Sequence, residues 1–400
     1  MVERHVDILI VGGGLTGAAL SLALRGSGYS TCLVESKRYS DATNTDFDAR
    51  SLALAPASVR VLNMLSVWPL LSAEASPIQH IHISEQARFG RALLRQEGSS
   101  PLGYVVEMQP IQRAIYQVIA PETLLAPAQL IALDVASGLA EISSDSGRVT
   151  IHAKLIVAAD GAQSHIRTLL NMSCVTKDYQ QTALIANVGL ARQHGNYAYE
   201  RFTAQGPLAL LPMTRQRMAL IWSMPSPEAA RLLDADEALF LKELQAAFGY
   251  RVGRFIKVGE RAVYPLKQVI MPRQTAWPVA FVGNAAHTLH PVAGQGFNLG
   301  LRDVAMLAQC IIQYGLLPQM LTRYEALRTA DQVAVTQFTN GLVELFAQHT
   351  PGFGLLRGLG LFTLDNLPIA KQILAYFAKG FVGPSPDLVC QIPLLERHHE

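Results

Sequence analysis

The sequence is short of charged residues and of cysteines, and each shortage excludes a class of protein. Only 16% of its 400 residues are charged, and 33 basic side chains against 31 acidic ones leave a formal charge of +2. So small a charge gives no electrostatic field for nucleic acid, and we expect no nucleic-acid partner. The four cysteines lie too far apart for a CxxC pair. This spacing argues against a disulfide framework or a zinc site and fits a reducing cytosol.

Targeting and membrane-spanning signals are missing as well. The chain enters a predicted strand by Asp7 without a signal-peptide pattern, and no segment offers about 20 uninterrupted apolar residues for a transmembrane helix. We therefore expect a cytoplasmic protein. There is no serine nucleophile elbow and no internal repeat. Because 400 residues exceed what one hydrophobic core usually needs, two domains or interleaved subdomains are expected.

Residues 6–35 predict a β–α–β unit with a GxGxxG turn. The first glycine permits the tight turn, the second lets a pyrophosphate approach the backbone, and the third lets the helix pack on the strand. The helix N-terminus then offers free N–H groups and partial positive charge to phosphates. An acidic residue ends the second strand, where it can accept from a ribose hydroxyl. The residues predicted to bind a dinucleotide here are Gly12, Gly14, Leu15, Thr16, Gly17 and Glu35.

A second signal is the strand at residues 154–159, which ends at Asp160 and Gly161 before a short helix. A carboxylate at the C-terminal end of a strand lies where doubly wound sheets bind ligands. Asp160 could equally cap the following helix, and the two roles can coexist.

The third signal is the segment 279–303, which organises the rest of the chain. A buried strand breaks at Gly283 and Asn284, crosses a loop marked by Pro291, Gly294 and Gly296, and enters a helix near Phe297. This pattern suits a large planar cofactor held against a helix N-terminus. His287 and His290 lie three residues apart in this loop without a third ligand nearby, so we expect no metal site.

Between these signals, the region 180–272 predicts an inserted antiparallel sheet. Strands are predicted over 182–190, 197–203, 208–213, 217–224 and 261–266, with one helix near 228–248. Such a sheet can pack one face on a ligand cavity. Its larger side chains (Tyr197, Tyr199, Phe202, Leu208, Leu210 and Trp222) fit either a plain core or a substrate wall.

The tail from 341 to 381 is rich in leucine, phenylalanine and glycine and has few charges. It is too short and too broken to span a bilayer. It could lie on a membrane surface, pack within a complex, or form a C-terminal packing helix.

Three motifs in order resemble the FAD-dependent aromatic hydroxylases of the p-hydroxybenzoate hydroxylase type: GxGxxG at 12–17, DGAQSHIR at 160–167 and GNAAHTLHPVAGQGFNLGLRD at 283–303. Within that family, HPVAGQGFNLGLRD and FDARSLALA resemble the ubiquinone-biosynthesis hydroxylases. The segment ERFTAQGPLALLPM, residues 200–213, resembles those that act on 2-polyprenyl-6-methoxyphenol.

The resemblance implies roles for matching residues only. Glu35 would bind the adenosine ribose, Arg50 the FAD phosphate region, and Asp160 would serve the motif shared by FAD and NAD(P)H. Asn284 stands where the family usually has an aspartate. Met108 stands where it often has arginine or glutamine, with Gln112 as a weak substitute. The full predicted cofactor set is Gly12, Gly14, Leu15, Thr16, Gly17, Glu35, Arg50, Gln112, Asp160, Gly161, Gly283, Asn284, Pro291, Gly294, Gln295, Gly296, Phe297 and Asn298.

The resemblance also implies a fold and a division into domains. We expect an α/β protein with a Rossmann-like FAD-binding domain (1–72, 98–178 and 274–340). We further expect a substrate domain built on the inserted antiparallel sheet (73–97 and 179–273) and a C-terminal helical region (341–400).

The implied activity is ring hydroxylation of a polyprenylated phenol with O2, FAD and NADPH or NADH. No catalytic residue stands out, and His287 is a weak candidate for a base. Alternatives are hydroxylation at another ring position, an FAD-dependent isoprenoid reductase, or a non-catalytic flavoprotein in a lipid-biosynthetic complex. Assembly with other ubiquinone-biosynthesis proteins, and contact of 341–381 with the inner face of the membrane, also follow as expectations.

Overall fold

A computed structural model describes residues 2–38, 50–96, 98–347, 353–381 and 383–395. Its strands are β1 (Val2–Val11), β2 (Thr31–Val34), β3 (Ser51–Leu54), β4 (Ser76–Ile78), β5 (His80–Glu85), β6 (Arg91–Arg95), β7 (Gly103–Glu107), β8 (Leu124–Leu125), β9 (Ala128–Asp134), β10 (Leu139–Ser144), β11 (Gly147–Ala158), β12 (Val175–Leu190), β13 (Tyr197–Phe202), β14 (Pro207–Pro212), β15 (Arg217–Pro225), β16 (Phe255–Ile270), β17 (Thr275–Ala276), β18 (Val279–Phe281) and β19 (His287–Thr288). Its α-helices are α1 (Leu15–Ala23), α2 (Pro56–Met64), α3 (Trp68–Leu71), α4 (Met108–Val118), α5 (His165–Leu169), α6 (Ser226–Asp234), α7 (Glu237–Phe248), α8 (Gln295–Tyr314), α9 (Pro318–Ala347), α10 (Phe353–Asn366) and α11 (Pro368–Ala378).

The first sheet has the strand order β17-β18-β11-β1-β2-β8, and the β9–β10 hairpin extends it from β11. Strands β18, β11, β1, β2 and β8 run parallel. A parallel sheet is covered on both faces, which explains the unbroken apolar run of β1. Its residues Ile8, Leu9 and Ile10 are completely buried, and Ile8 and Leu9 belong to different cores on opposite faces of the sheet.

The second sheet confirms the predicted insertion and extends it. Its order is β19-β16-β12-β15-β14-β13-β5-β6, and the pairing is antiparallel except between β13 and β5. Strand β16 is longer than the predicted 261–266. The single predicted helix near 228–248 is wrong in detail, because Ala235 is extended and the Asp236 side chain caps α7 by accepting from the Leu239 N–H at 2.7 Å. Helices α6 and α7 cover one face of this sheet.

Residues 104–119 predict a loop that leads into an amphipathic helix, but in the structure a strand, β7, precedes α4 and pairs with β3 and β4. The motif FDARSLALA supplies β3. Its residues 47–49 lie outside the described ranges.

Helices α8 to α11 follow β19, and α8 begins two residues before the predicted start near Phe297. Helix α8 begins at Gln295 because Gly294 takes a left-handed conformation at its N-cap. Helix α10 docks closely on the turn between β5 and β6. A Cβ at Gly358 would lie 2.7 Å from the Phe89 carbonyl oxygen, so only glycine allows this approach. The division into domains given above stays a prediction.

Candidate active site

The three predicted motifs meet at one edge of the parallel sheet. Gly12 follows β1, Asp160 follows β11 and Gly283 follows β18, and these strands are neighbours. Backbone bonds join the ends: Ala159 N–H donates to the Val11 carbonyl at 2.8 Å, and Val282 N–H donates to the Ala158 carbonyl at 3.0 Å. The carboxyl edge of a doubly wound sheet is the usual ligand-binding edge.

The glycine turn after β1 divides its roles among its three glycines. A Cβ at Gly17 would lie 2.0 Å from the Gly12 carbonyl oxygen, and Gly12 itself has φ +107° and touches Ala159. These two glycines are needed for packing. A Cβ at Gly14 would meet no described atom within 4 Å, although the residue lines a large cavity. Helix α1 starts next to Gly14 with no side-chain cap, so its N–H groups are available to a phosphate.

Glu35 holds the glycine turn as well as standing at the predicted ribose position. Its carboxylate accepts from the Gly13 N–H at 2.8 Å and from the Lys37 N–H at 2.9 Å. On the other side of the turn, the Tyr116 hydroxyl donates to the Gly13 carbonyl at 2.7 Å. Burial raises the pKa of Tyr116 to about 12, so the hydroxyl stays a donor. Sequence reasoning missed Tyr116, which lies on the amphipathic helix α4.

Asp160 takes up one of the two roles that its position predicted, that of a cap for α5, and its contact with a ligand stays a prediction. One carboxylate oxygen accepts from the Ile166 N–H of α5 at 3.1 Å. The other is buried and has no hydrogen-bond partner among the described residues. A buried carboxylate oxygen without a donor is costly, and a cofactor hydroxyl would satisfy it. Arg167 ties this turn to the next motif by donating to the carbonyls of Ala162 at 2.7 Å and Ala285 at 3.0 Å.

Asn298 positions the loop that enters α8. Its amide oxygen accepts from the Ala55 N–H at 2.8 Å and the Ser58 hydroxyl at 2.7 Å. Its amide nitrogen donates to the Ala53 carbonyl at 2.9 Å and the Gly294 carbonyl at 2.7 Å. These bonds engage both the oxygen and the nitrogen of the amide, so Asn298 holds β3 and α2 against the loop. Contacts to a cofactor would come from the backbone N–H groups of the first α8 turn, which lacks a side-chain cap.

A buried ionic cluster supports this loop from behind. Asp303 accepts from the Gly283 N–H at 3.3 Å, from Arg328 at 2.9 Å and from His287. Asp331 accepts from Arg302 at 2.7 Å and from Arg328 at 2.6 Å. Burial by itself would raise the pKa of Asp303, but the neighbouring His287 and Arg328 hold it well below its ordinary value. The candidate base His287 is thus engaged in the cluster and does not line the cavity.

One cavity of about 1010 Å³ joins the glycine turn to the apolar face of the second sheet. Its lining includes these predicted cofactor residues: Gly14, Leu15, Thr16, Gly161, Asn284, Pro291, Gly294, Gln295, Gly296, Phe297 and Asn298. The other predicted residues are not among its lining residues: Gly12, Gly17, Glu35, Arg50, Gln112, Asp160 and Gly283. Eleven of the eighteen predicted residues therefore lie along one cavity, and their binding of a cofactor stays a prediction.

Most residues at the apolar end of the cavity were not among those predicted from the sequence. Ile81 and Ile83 point from β5, Phe338 and Leu342 come from α9, and Leu361 comes from α10. Among the residues left open as core or wall, Phe202 lines the cavity, and Tyr199 both lines it and packs in the core under α6 and α7. That core also contains Leu208, Leu210 and Trp222, with Tyr197 packed against it, and none of these four lines the cavity. Residues 80–84 alternate like a strand in the sequence, and this alternation predicts a strand there but not its place in the cavity wall.

The fold and the site define a flavin-dependent oxidoreductase, because a Rossmann-like glycine turn and the N-terminus of α8 face one cavity at the carboxyl edge of the parallel sheet. The sequence model of a family described as "FAD binding domain" matches residues 5–339, and the chain belongs to that family. It is an FAD-dependent aromatic hydroxylase, for which NAD(P)H is the typical co-substrate.

Comparison with known proteins confirms the resemblance seen in the motifs. The chain is 35% identical to "Ubiquinone hydroxylase UbiL" of Rhodospirillum rubrum, over 98% of this chain and 94% of that protein. It is 30% identical to "3-demethoxyubiquinol 3-hydroxylase" of Escherichia coli, over 95% of this chain and 100% of that protein. The crystal structure of p-nitrophenol 4-monooxygenase PnpA from Pseudomonas putida shares the fold, with a TM-score of 0.78, 17% identity and coverage of 96% of this chain and 99% of that one.

Bound FAD supplies the redox chemistry with O2, and the chain's own residues bind and orient it. We propose that the open space at Gly14 admits the pyrophosphate, that the free oxygen of Asp160 accepts from a hydroxyl, and that the α8 N-terminus stabilises negative charge on the reduced ring. Apolar walls of this kind would exclude water from a ring bound in the cavity.

Asn284, which stands where the family usually has an aspartate, gives a direct test of these roles. Asn284 is exposed at the cavity edge. We expect Asn284→Asp to keep FAD affinity and activity within about threefold, since the family usually carries the acid there. The same change at Asn298 removes two buried donations, and we expect Asn298→Asp to cost about 1–3 kcal/mol of stability and to weaken FAD binding. FAD titration and urea unfolding of both variants measure the contrast. Loss of FAD in Asn284→Asp would mean that the amide has a role of its own.

Proposed function

We propose that the protein hydroxylates the ring of 2-polyprenyl-6-methoxyphenol in ubiquinone biosynthesis, using NADPH or NADH and O2. The observation that carries the proposal is the cavity, which leads from the α8 N-terminus along an apolar wall to the C-terminal helices. A phenol ring fits beside the cofactor while a polyprenyl chain follows the apolar wall. The relatives named as ubiquinone hydroxylases support the pathway.

The reaction is tested with purified holoenzyme, NADPH, ¹⁸O₂ and a short-chain 2-prenyl-6-methoxyphenol. We expect one labelled oxygen atom in the product, and NMR of the product gives the ring position. A product without label would favour the isoprenoid reductase instead.

In a deletion strain, we expect 2-polyprenyl-6-methoxyphenol to accumulate. Accumulation of a polyprenylphenol without the methoxy group would contradict the proposed position.

A second ring position is supported by one observation. The Escherichia coli relative is named for 3-hydroxylation of demethoxyubiquinol, and it matches this chain over nearly its whole length. If the deletion strain accumulates a demethoxyubiquinol, hydroxylation at this second ring position replaces the first proposal.

We propose further that the C-terminal region contacts the membrane from the cytoplasmic side. Helix α10 buries its glycine face on the β5–β6 turn and leaves Leu355, Leu359 and Phe362 about half exposed. On α11, Ile369 and Ile373 are exposed by 74% and 66%. No helix in the described part of the chain is long and apolar enough to cross a bilayer. An apolar face beside the cavity suits a lipid-borne substrate and a peripheral contact.

The membrane contact predicts a loss of vesicle binding in Leu355→Glu/Ile373→Glu. We expect its partition onto phosphatidylethanolamine–phosphatidylglycerol vesicles to fall at least tenfold, because two apolar side chains leave the interface. Ile256→Glu on β16 is the matched control, since Ile256 is as exposed (57%) as Leu355 (56%). Co-sedimentation measures both. Equal binding by the double variant and the control would leave assembly with other ubiquinone-biosynthesis proteins as the role of this surface.

A further inference from the structure

His290 is a buried polar side chain in the cavity wall that the site described above does not use. It directly precedes Pro291, at the start of the loop into α8, and it is only 1% exposed. His290 is one of the residues that line the cavity, as are the adjacent Leu289 and Pro291. His287, three residues earlier, is buried on Asp303 away from the cavity lining. The two histidines of the loop therefore have different surroundings.

Hydrogen bonding fixes which nitrogen of His290 carries the proton. Nδ1 accepts from the Val292 N–H at 3.1 Å. Burial lowers the pKa of His290 to about 4, so the ring is neutral at ordinary pH. A neutral imidazole that accepts at Nδ1 carries its hydrogen on Nε2. His290 is therefore a neutral donor, and it has no free lone pair with which to act as a base.

The Nε2–H donor has no hydrogen-bond partner within the described ranges, and it is shielded from water. Its nearest aromatic neighbour is Tyr179, whose ring lies 4.9 Å away at 81°. Tyr179 is fixed in turn by its hydroxyl, which donates to Asn340. An aromatic ring is a weak substitute for an oxygen acceptor. A buried donor in the wall of a binding cavity, left without an acceptor, points to a ligand atom as its partner.

We propose that His290 Nε2–H donates a hydrogen bond to the phenolic oxygen of the substrate and makes the enzyme select rings that carry this oxygen. The inference rests on the proposed function, because it takes the ring-bearing ligand to be a phenol. The location supports it, because His290 lines the cavity between the apolar Leu289 and Pro291, which belongs to the predicted cofactor set. A donor there orients the ring without removing its proton.

Two substitutions separate the donor from the loop contact. His290→Asn keeps an oxygen near the Nδ1 position, where it can still accept from the Val292 N–H, and removes the Nε2 donor. His290→Gln places an amide N–H near the Nε2 position. Binding is measured on the oxidised holoenzyme without NAD(P)H, by the flavin absorbance change on titration. The probes are 2-prenyl-6-methoxyphenol and 3-prenylanisole, which is the same ring without the phenolic hydroxyl.

We expect the wild type to prefer the phenol by about tenfold, the size of one hydrogen bond from a neutral donor. His290→Asn should lose this preference by weakening the phenol alone, and His290→Gln should retain most of it. FAD affinity should be unchanged in both. A purely structural role would weaken both ligands equally, which overturns the proposal. A fall in FAD affinity with the preference intact also overturns it, because the acceptor then belongs to the cofactor. Failure of the wild type to bind either ring would instead contradict the proposed function.

Discussion

Gly14→Ala is expected to leave the apoprotein as stable as the wild type and to weaken FAD binding on the order of a hundredfold, about 2.7 kcal/mol. The added Cβ meets no described protein atom within 4 Å. The backbone at Gly14 has φ −59° and ψ 175°, which alanine adopts without strain. The methyl group would instead fill the space that the pyrophosphate needs. Flavin-fluorescence titration and urea unfolding of the apoprotein measure the two quantities separately.

Gly17→Ala is the matched control, since it makes the same chemical change in the same turn. Its Cβ would lie 2.0 Å from the Gly12 carbonyl oxygen, so the helix must shift from the strand. We expect this variant to lose about 1–3 kcal/mol of apoprotein stability. If Gly14→Ala bound FAD as tightly as the wild type, no phosphate would approach the turn at that residue.

The three motif turns at one end of the cavity could be predicted from the sequence because their signals are local. Each motif is a strand followed by a turn, and parallel pairing of β1, β11 and β18 brings the turns to one edge. A hydrophobic run, a glycine spacing and a following helix suffice to predict such a unit. The residues that line the cavity from these motifs, such as Gly14 and Gln295, were accordingly named in advance.

The apolar end of the cavity could not be predicted because its contacts are distant in sequence. Strand β5 pairs in parallel with β13, with Ile81 opposite Ala198, and no local pattern sets that partner. Ile81, Ile83 and Leu361 share a wall only because this pairing and the docking of Gly358 on Phe89 occur together. The hydrogen bonds of the Asn298 side chain could not be predicted either. The sequence predicts Asn298 as a cofactor ligand, and only the structure shows that its amide is hydrogen-bonded to β3 and to the start of α2.

Asp303→Asn is expected to lower the free energy of unfolding by about 3–5 kcal/mol, because it leaves a buried cation short of its partner. Arg302 and Arg328 then share Asp331 alone, and all of these side chains are at most 2% exposed. An amide cannot accept from Gly283, His287 and Arg328 together as the carboxylate does. The turn that carries Asn284 loses its anchor, so we also expect weaker FAD binding. Urea unfolding and FAD titration of the purified variant measure both effects.

The matched control for Asp303→Asn is an exposed ion pair, and pH gives a second test. Glu228→Gln removes a carboxylate bonded to Arg231 at 2.9 Å on the surface of α6, and we expect the free energy of unfolding to change by no more than about 0.5 kcal/mol.

The pKa of folded Asp303 lies below the unfolded value of about 3.9. Its contribution is therefore complete above that pH and is lost as the pH falls towards the folded pKa. The stability difference between wild type and Asp303→Asn should stay constant from pH 7 to about 5 and narrow below about 4. A difference that instead grew on acidification would show that the cluster is held by something other than the Asp303 charge.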